Sequence, residues 1–210
     1  MEKLTPDRSE NRGTSAGGQQ TNINGKSFEQ KTANECRLVH QGFVRKTIPG
    51  ATGKYAYYLE KGEVVYLTQG GLQAYFKFFF EKELCRCPDE AYLIRYESGN
   101  LIPPYNARYI LRILEKKYQS TAGSVDTKLL AGPGFIAEYE FSLGPDFTVE
   151  YAFCINAYLQ NYYSSESLKY RALRFINEKY CIKVFYGEEP DYYEHLDVWI
   201  AGPLTPLKPL

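Results

Sequence analysis

Ile110, Leu111, Ile113 and Leu114 form an apolar run that breaks off at three charged residues, Glu115-Lys116-Lys117. A short run without polar alternation suits a strand buried on both faces. The strand is predicted over Tyr109–Glu115, in the interior of a sheet, where it gives the charged residues at its end a rigid base.

The flanking chain supplies the other elements. Ser27 is a plausible N-cap for a helix running to about Val39, ended by Gly42. Lys54–Leu59 and Glu63–Leu67 read as paired strands around Glu60-Lys61-Gly62. Leu72–Glu83 has helical periodicity, although its phenylalanine run also fits a strand. Ala91–Tyr96 is a further strand, joined to Tyr109–Glu115 by the Gly/Asn/Pro-rich stretch Ser98–Asn106. Val125–Leu143 is predicted helical, with a break at Gly132-Pro133-Gly134. Thr148–Ile155 is a strand, Ser165–Lys179 a helix and Cys181–Phe185 a last strand. This order predicts an α/β or α+β chain with a mixed central sheet flanked by helices.

Residues 1–25 contain only Met1, Leu4, Ala16 and Ile23 as apolar side chains, too few to offset the entropy of ordering, so they are expected to form a disordered arm. One domain is expected over 26–201, followed by a proline-rich tail over 202–210. The polar N-terminus predicts no secretory leader. The apolar stretch near Ala74–Phe80 is interrupted by Lys77 and too short to span a bilayer. The five scattered cysteines are then expected to be reduced thiols of a soluble intracellular protein. Cys85-Arg86-Cys87 lacks the further ligands that a zinc site needs.

The charged cluster carries the chemistry. Asp89 follows Pro88, and Glu115 stands 26 residues later. Side-chain direction repeats every two residues along a strand, so Glu115 and Lys117 share a face. Two carboxylates from neighbouring strands can hold Mg²⁺ against a phosphodiester. A lysine beside them can orient the attacking water and stabilise developing negative charge. The carbonyl of Lys116 is a further candidate oxygen ligand. Asp89 is the first choice to pair with Glu115, with Glu90 and Glu97 as alternatives. Lys+Arg and Asp+Glu both number 25, so the net charge is zero and any contact with nucleic acid must come from local patches.

Pro88-Asp89 with Glu115-Lys116-Lys117 resembles the PD-(D/E)XK nuclease superfamily. The longer run through Tyr118-Gln119 and Gly123-Ser124-Val125-Asp126-Thr127-Lys128 is similar to an EXKXQ…G(S/T)…K pattern in a branch of type II restriction endonucleases. The whole chain is also similar to restriction-type endonucleases encoded by large DNA viruses of algae. The resemblance covers roughly residues 24–155 and implies a restriction-endonuclease-like αβββαβ core, Mg²⁺ dependence and double-stranded DNA as substrate. It implies metal binding by Asp89 and Glu115, with Glu29 on the first helix assisting. Lys117 is the implied catalytic lysine and Gln119 a supporting residue on the same strand face. Gly123 and Ser124 would open the next helix toward the phosphate backbone, and Lys128 would contact DNA. A homodimer cutting both strands of a short palindrome and a cognate DNA methyltransferase are also implied.

Each of these residues also has a plainer structural reading. Asp89 can simply start a strand, Glu115-Lys116-Lys117 can be its solvated end, and Glu29 suits a helix N-terminus regardless of function. His40 suits a helix C-terminus, and His195 is expected on the surface. Gly70-Gly71 and Gly132-Pro133-Gly134 lack the Lys-Ser/Thr of a nucleotide-binding loop and read as turns. The basic residues Lys169, Arg171 and Arg174 either track phosphates or solvate a helix face. The rival functions are a repair or structure-specific nuclease on the same core, and a non-catalytic DNA-binding protein.

Overall fold

Seven strands join one mixed sheet in chain order: β1 (Val44–Thr47), β2 (Tyr57–Lys61), β3 (Val64–Thr68), β4 (Glu90–Arg95), β5 (Tyr109–Lys117), β6 (Phe147–Ile155) and β7 (Lys183–Tyr186). The first five pair antiparallel, whereas β5, β6 and β7 run parallel. The structure is a computed structural model, and it describes residues 25–54, 56–95, 107–120 and 125–202. Most of the expected arm and tail, the connection Ser98–Asn106, Glu97, Gly123 and Ser124 lie outside the described residues.

The change from antiparallel to parallel pairing follows from the connections. Among the antiparallel neighbours, β2 and β3 are joined by a tight turn, the Gly62-Glu63 loop, with Gly62 at φ 55°. Parallel neighbours need a crossover. Helices α4 (Val125–Leu129) and α5 (Gly132–Leu143) carry the chain from β5 to β6, and α6 (Ala157–Tyr163) and α7 (Leu168–Lys179) carry it from β6 to β7. The remaining helices are α1 (25–31), α2 (Glu35–His40), α3 (Gln69–Phe80) and α8 (Tyr192–Ala201).

Alternation along β5 and β6 divides the core in two. Leu111, Ile113, Tyr151 and Phe153 face one layer, with Leu72 and Phe76 of α3, Tyr139 and Leu143 of α5 and Leu173 of α7. Leu114, Ala152 and Cys154 face the other, with Phe28 of α1, Leu38 of α2 and Leu196, Trp199 and Ile200 of α8. The central strand is therefore covered on both sides, as its apolar run predicts. Arg112, inside that run, is fully buried beside α8.

Several boundaries differ from expectation. The single helix expected from Ser27 to Val39 is two helices. Asn34 turns inward between them and hydrogen-bonds Glu90 through both its main-chain N–H and its side chain. Ser27 lies inside the first helix rather than at its cap. Gly70-Gly71 is not a turn but the first turn of α3, where the Thr68 hydroxyl accepts from the Gly71 N–H at 3.2 Å. That helix stops at Phe80, because Glu81 adopts φ 56°. The helical stretch breaks as expected, but at residues 130–131, and Gly132-Pro133-Gly134 forms the first turn of α5, where proline is tolerated. Space at Gly132 is tight: a Cβ would lie 2.6 Å from Ile182 Cδ1, which would have to shift.

Gly187, just after β7, marks a tighter approach. A Cβ would lie 2.6 Å from Cys154 Sγ and 2.8 Å from both Phe28 Cζ and Thr32 Cγ2. Gly187→Ala should therefore destabilise the fold by about 1–3 kcal/mol through overpacking. Gly134→Ala, with nothing within 4 Å of its Cβ, is the control and should change little. Urea denaturation of the two variants checks this.

Candidate active site

Antiparallel pairing of β4 with β5 sets Glu90 opposite Leu114, so Asp89, one residue before β4, lies beside Glu115 near the end of β5. Glu115 and Lys117 share a face as their spacing requires: Lys117 Nζ donates to Glu115 Oε1 at 2.5 Å. Their side chains are 21% and 19% exposed, so the pair opens to solvent at the strand end. Asp89 Oδ2 accepts the Lys116 N–H at 2.7 Å, which ties its carboxylate to the β5 main chain.

Burial, followed by the nearby Glu115 charge, pushes the Asp89 carboxyl up to about 6, although the Lys116 N–H and both lysines act in the opposite direction. Glu29 on α1 is also raised, first by burial and then by the Asp89 charge. The structure thus brings Asp89, Glu115, Lys117 and Glu29 into one electrostatic neighbourhood. It does not close a three-acid cage: among the described residues no three His, Cys, Asp or Glu side chains are grouped to hold a metal ion. Glu29 adds negative charge beside Asp89.

Strand β5 ends at Lys117, so two-residue alternation no longer governs position 119. Gln119 is buried, and Asn156 at the end of β6 holds its main chain at both ends. The Gln119 N–H donates to Asn156 Oδ1 at 3.2 Å, and Asn156 Nδ2 donates to the Gln119 carbonyl at 3.0 Å. The Asn156 side chain thereby locks the chain leaving β5. Lys128 is exposed on α4.

Of the alternative acids, Glu90 is directed to the opposite sheet face, where it accepts from Lys116 Nζ at 2.7 Å. It is therefore not the partner of Glu115. The side chain of Lys116 is the feature that sequence reading missed, since only its carbonyl drew notice there. A charged residue between two site residues on a buried strand must point into the opposite layer and find a partner, so alternation did contain the signal.

Other candidates resolve as structural. Arg174 donates to the carbonyls of Tyr163 and, at 2.8 Å, Ser165, clamping the end of α6 rather than facing phosphate. His40 ends α2, and His195 is exposed beside Asp191. Among the described residues no helix is long and apolar enough to cross a membrane.

Fold and site together define a mixed α/β protein with two acids and a lysine at the end of a doubly buried strand. No protein-family model, curated protein or solved structure matches the chain.

Proposed function

We propose that this chain is a Mg²⁺-dependent endodeoxyribonuclease of the restriction type, acting on double-stranded DNA. One observation carries the reading: Asp89, Glu115 and Lys117 converge at the adjoining ends of β4 and β5, with Lys117 bonded to Glu115 and the Asp89 carboxyl raised by burial and then by the Glu115 charge. The topology supports it. Strands β3, β4 and β5 form an antiparallel meander, and α5 crosses over to β6, which lies parallel to β5. This order is compatible with the αβββαβ core that the reading calls for, with α3 inserted between β3 and β4.

The residues present suit Mg²⁺. This ion is held through one or two carboxylates, with water and substrate phosphate completing its shell, so a two-acid set is sufficient. Asp89 and Glu115 would hold it, and their mutual repulsion is what a divalent cation relieves. When bound, Mg²⁺ supplies charge neutralisation at the scissile phosphate and acidifies water. Lys117 presents its ammonium beside Glu115, positioned to orient the attacking water and to offset negative charge growing on the phosphate. Glu29 enriches the negative field that attracts the cation. Lys128 is a candidate phosphate contact. A homodimer with two such sites, and a methyltransferase protecting the host DNA, belong to the same reading.

Incubating the protein with unmethylated plasmid and Mg²⁺ tests the proposal. Discrete fragments with a common end sequence are expected. A smear, or cutting only at branches, would move the function to a repair or structure-specific nuclease. The absence of any cleavage on varied DNA would leave a non-catalytic DNA-binding role.

Asp89 also makes the metal-free protein pH-sensitive. Its folded pKa of about 6 exceeds the ordinary 3.8, so between these values the folded state binds more protons than the unfolded one. Stability from this group is present at low pH and is lost as pH rises through about 6. Mg²⁺ should restore it at neutral pH, because the cation takes the place of the proton. Melting curves from pH 5 to 8, with and without Mg²⁺, should show this dependence in the unchanged protein and lose it in Asp89→Asn.

A further inference from the structure

The candidate site occupies one face of the sheet at the ends of β4 and β5. One residue along each strand, on the opposite face, lie Glu90 and Lys116. Their side chains are only 4% and 3% exposed, and they pair at 2.7 Å. Asn34 fixes the same carboxylate: its N–H donates to Glu90 Oε1 at 3.0 Å and its Nδ2 to Oε2 at 2.6 Å. The Tyr92 hydroxyl donates to Oε2 at 3.3 Å. Lys116 also reaches outward from the pair. Its Nζ donates to the carbonyl of Glu29 at 3.3 Å, and its main-chain N–H holds the Asp89 carboxylate.

Glu90 and Lys116 are therefore chain neighbours of Asp89, Glu115 and Lys117, and Lys116 bonds directly to Asp89 and Glu29. A buried ion pair is a poor source of stability, because desolvation offsets the attraction between its members. What it does well is fix geometry. We propose that Glu90–Lys116 is a positioning pair that sets the spacing of Asp89, Glu115 and the Glu29-bearing helix α1, and so tunes the affinity of the site for Mg²⁺. The inference rests on the nuclease reading. Neither residue faces the reacting groups, so both act through the acids they hold.

The test uses the full chain and Mg²⁺ alone, without DNA. The double variant Glu90→Gln/Lys116→Met removes both charges at similar volume and strands neither. It should stay folded and bind Mg²⁺ about 10-fold more weakly by calorimetry, the scale at which outer contacts tune metal sites. Amide exchange in α1 should quicken. Glu29→Gln should weaken binding in the unchanged protein but add nothing in the double variant, because the pair acts partly through Glu29. A folded double variant with undiminished Mg²⁺ affinity would falsify the inference alone, even if its melting temperature fell. If the double variant does not fold, Glu90→Gln, which keeps the side-chain volume and one acceptor oxygen, is measured instead, and unchanged affinity there has the same meaning. If the unchanged protein binds no Mg²⁺, the nuclease reading falls and the inference with it.

Discussion

Glu115→Ala should abolish Mg²⁺-dependent cleavage of DNA and leave the fold standing. Glu115 sits at the open end of β5, its side chain 21% exposed and bonded to Lys117. Removing it leaves the Lys117 ammonium with water and Asp89 nearby, so no charge is stranded in the core and the loss of stability should stay within about 1 kcal/mol. The chemical loss is of another order. Glu115 would be one of two acids holding the cation, and its bond to Lys117 would also orient the lysine proposed to face the attacking water. Removing a single group that stabilises transition-state charge commonly costs about a hundredfold to a thousandfold in rate, and losing the metal with it costs more. Lys117→Ala should behave alike in cleavage but should keep Mg²⁺ binding, because it deletes no carboxylate. Rates of plasmid cutting, set beside melting curves and with His195→Ala as an active control, distinguish these cases. Cutting by Glu115→Ala at the unchanged rate would remove the site from consideration.

The largest stability effect should come from Arg112→Leu. Arg112 lies within the apolar run of β5 with no exposed side-chain surface. Its Nε donates to Glu150 Oε2 on β6 at 2.6 Å. The other nitrogens reach the last carbonyls of α8, donating to Trp199, to Ile200 at 2.7 Å and to Gly202 at 2.8 Å. The last carbonyls of a helix have no partners within it, and a cation there also opposes the helix dipole. One guanidinium thus holds the end of α8 to the centre of the sheet. Leucine fills the space but strips Glu150 of its guanidinium and uncaps the helix. Breaking one side of a buried pair costs about 3–5 kcal/mol, a large part of the roughly 5–15 kcal/mol that holds an ordinary domain together. Trp199 is the only tryptophan, is largely buried, and sits 5.7 Å from the Arg112 guanidinium. Its emission should shift to the red as α8 lifts, at lower urea than in the unchanged protein. A midpoint equal to that of the unchanged protein would show that the clamp contributes nothing.

The legible part of the fold was that governed by local periodicity. The doubly buried strand, the hairpin at Gly62 and the helical stretch around α3 all follow from short-range pattern, with boundaries off by a few residues. The strand β1 has every residue exposed and carries no apolar alternation to reveal it. Helix α8 is different: Tyr192, Leu196, Trp199 and Ile200 recur at helical spacing and are its buried residues, so the signal was present and overlooked. The break between α1 and α2 is set by Asn34 reaching Glu90, 56 residues away, which no local pattern encodes.

For the candidate site the division is sharper. By itself, the sequence determined that Glu115 and Lys117 share a face, because a strand repeats every two residues whatever surrounds it. It placed Asp89 before a neighbouring strand but left Glu90 and Glu97 open as partners for Glu115. Only the tertiary structure decided against Glu90, since the register of β4 on β5 turns it into the opposite layer and pairs it with Lys116. It also ended β5 two residues before Gln119, where Asn156 takes hold of the main chain. Periodicity belongs to one strand and can be read along it, whereas register and partner choice belong to two and exist only once the sheet has formed.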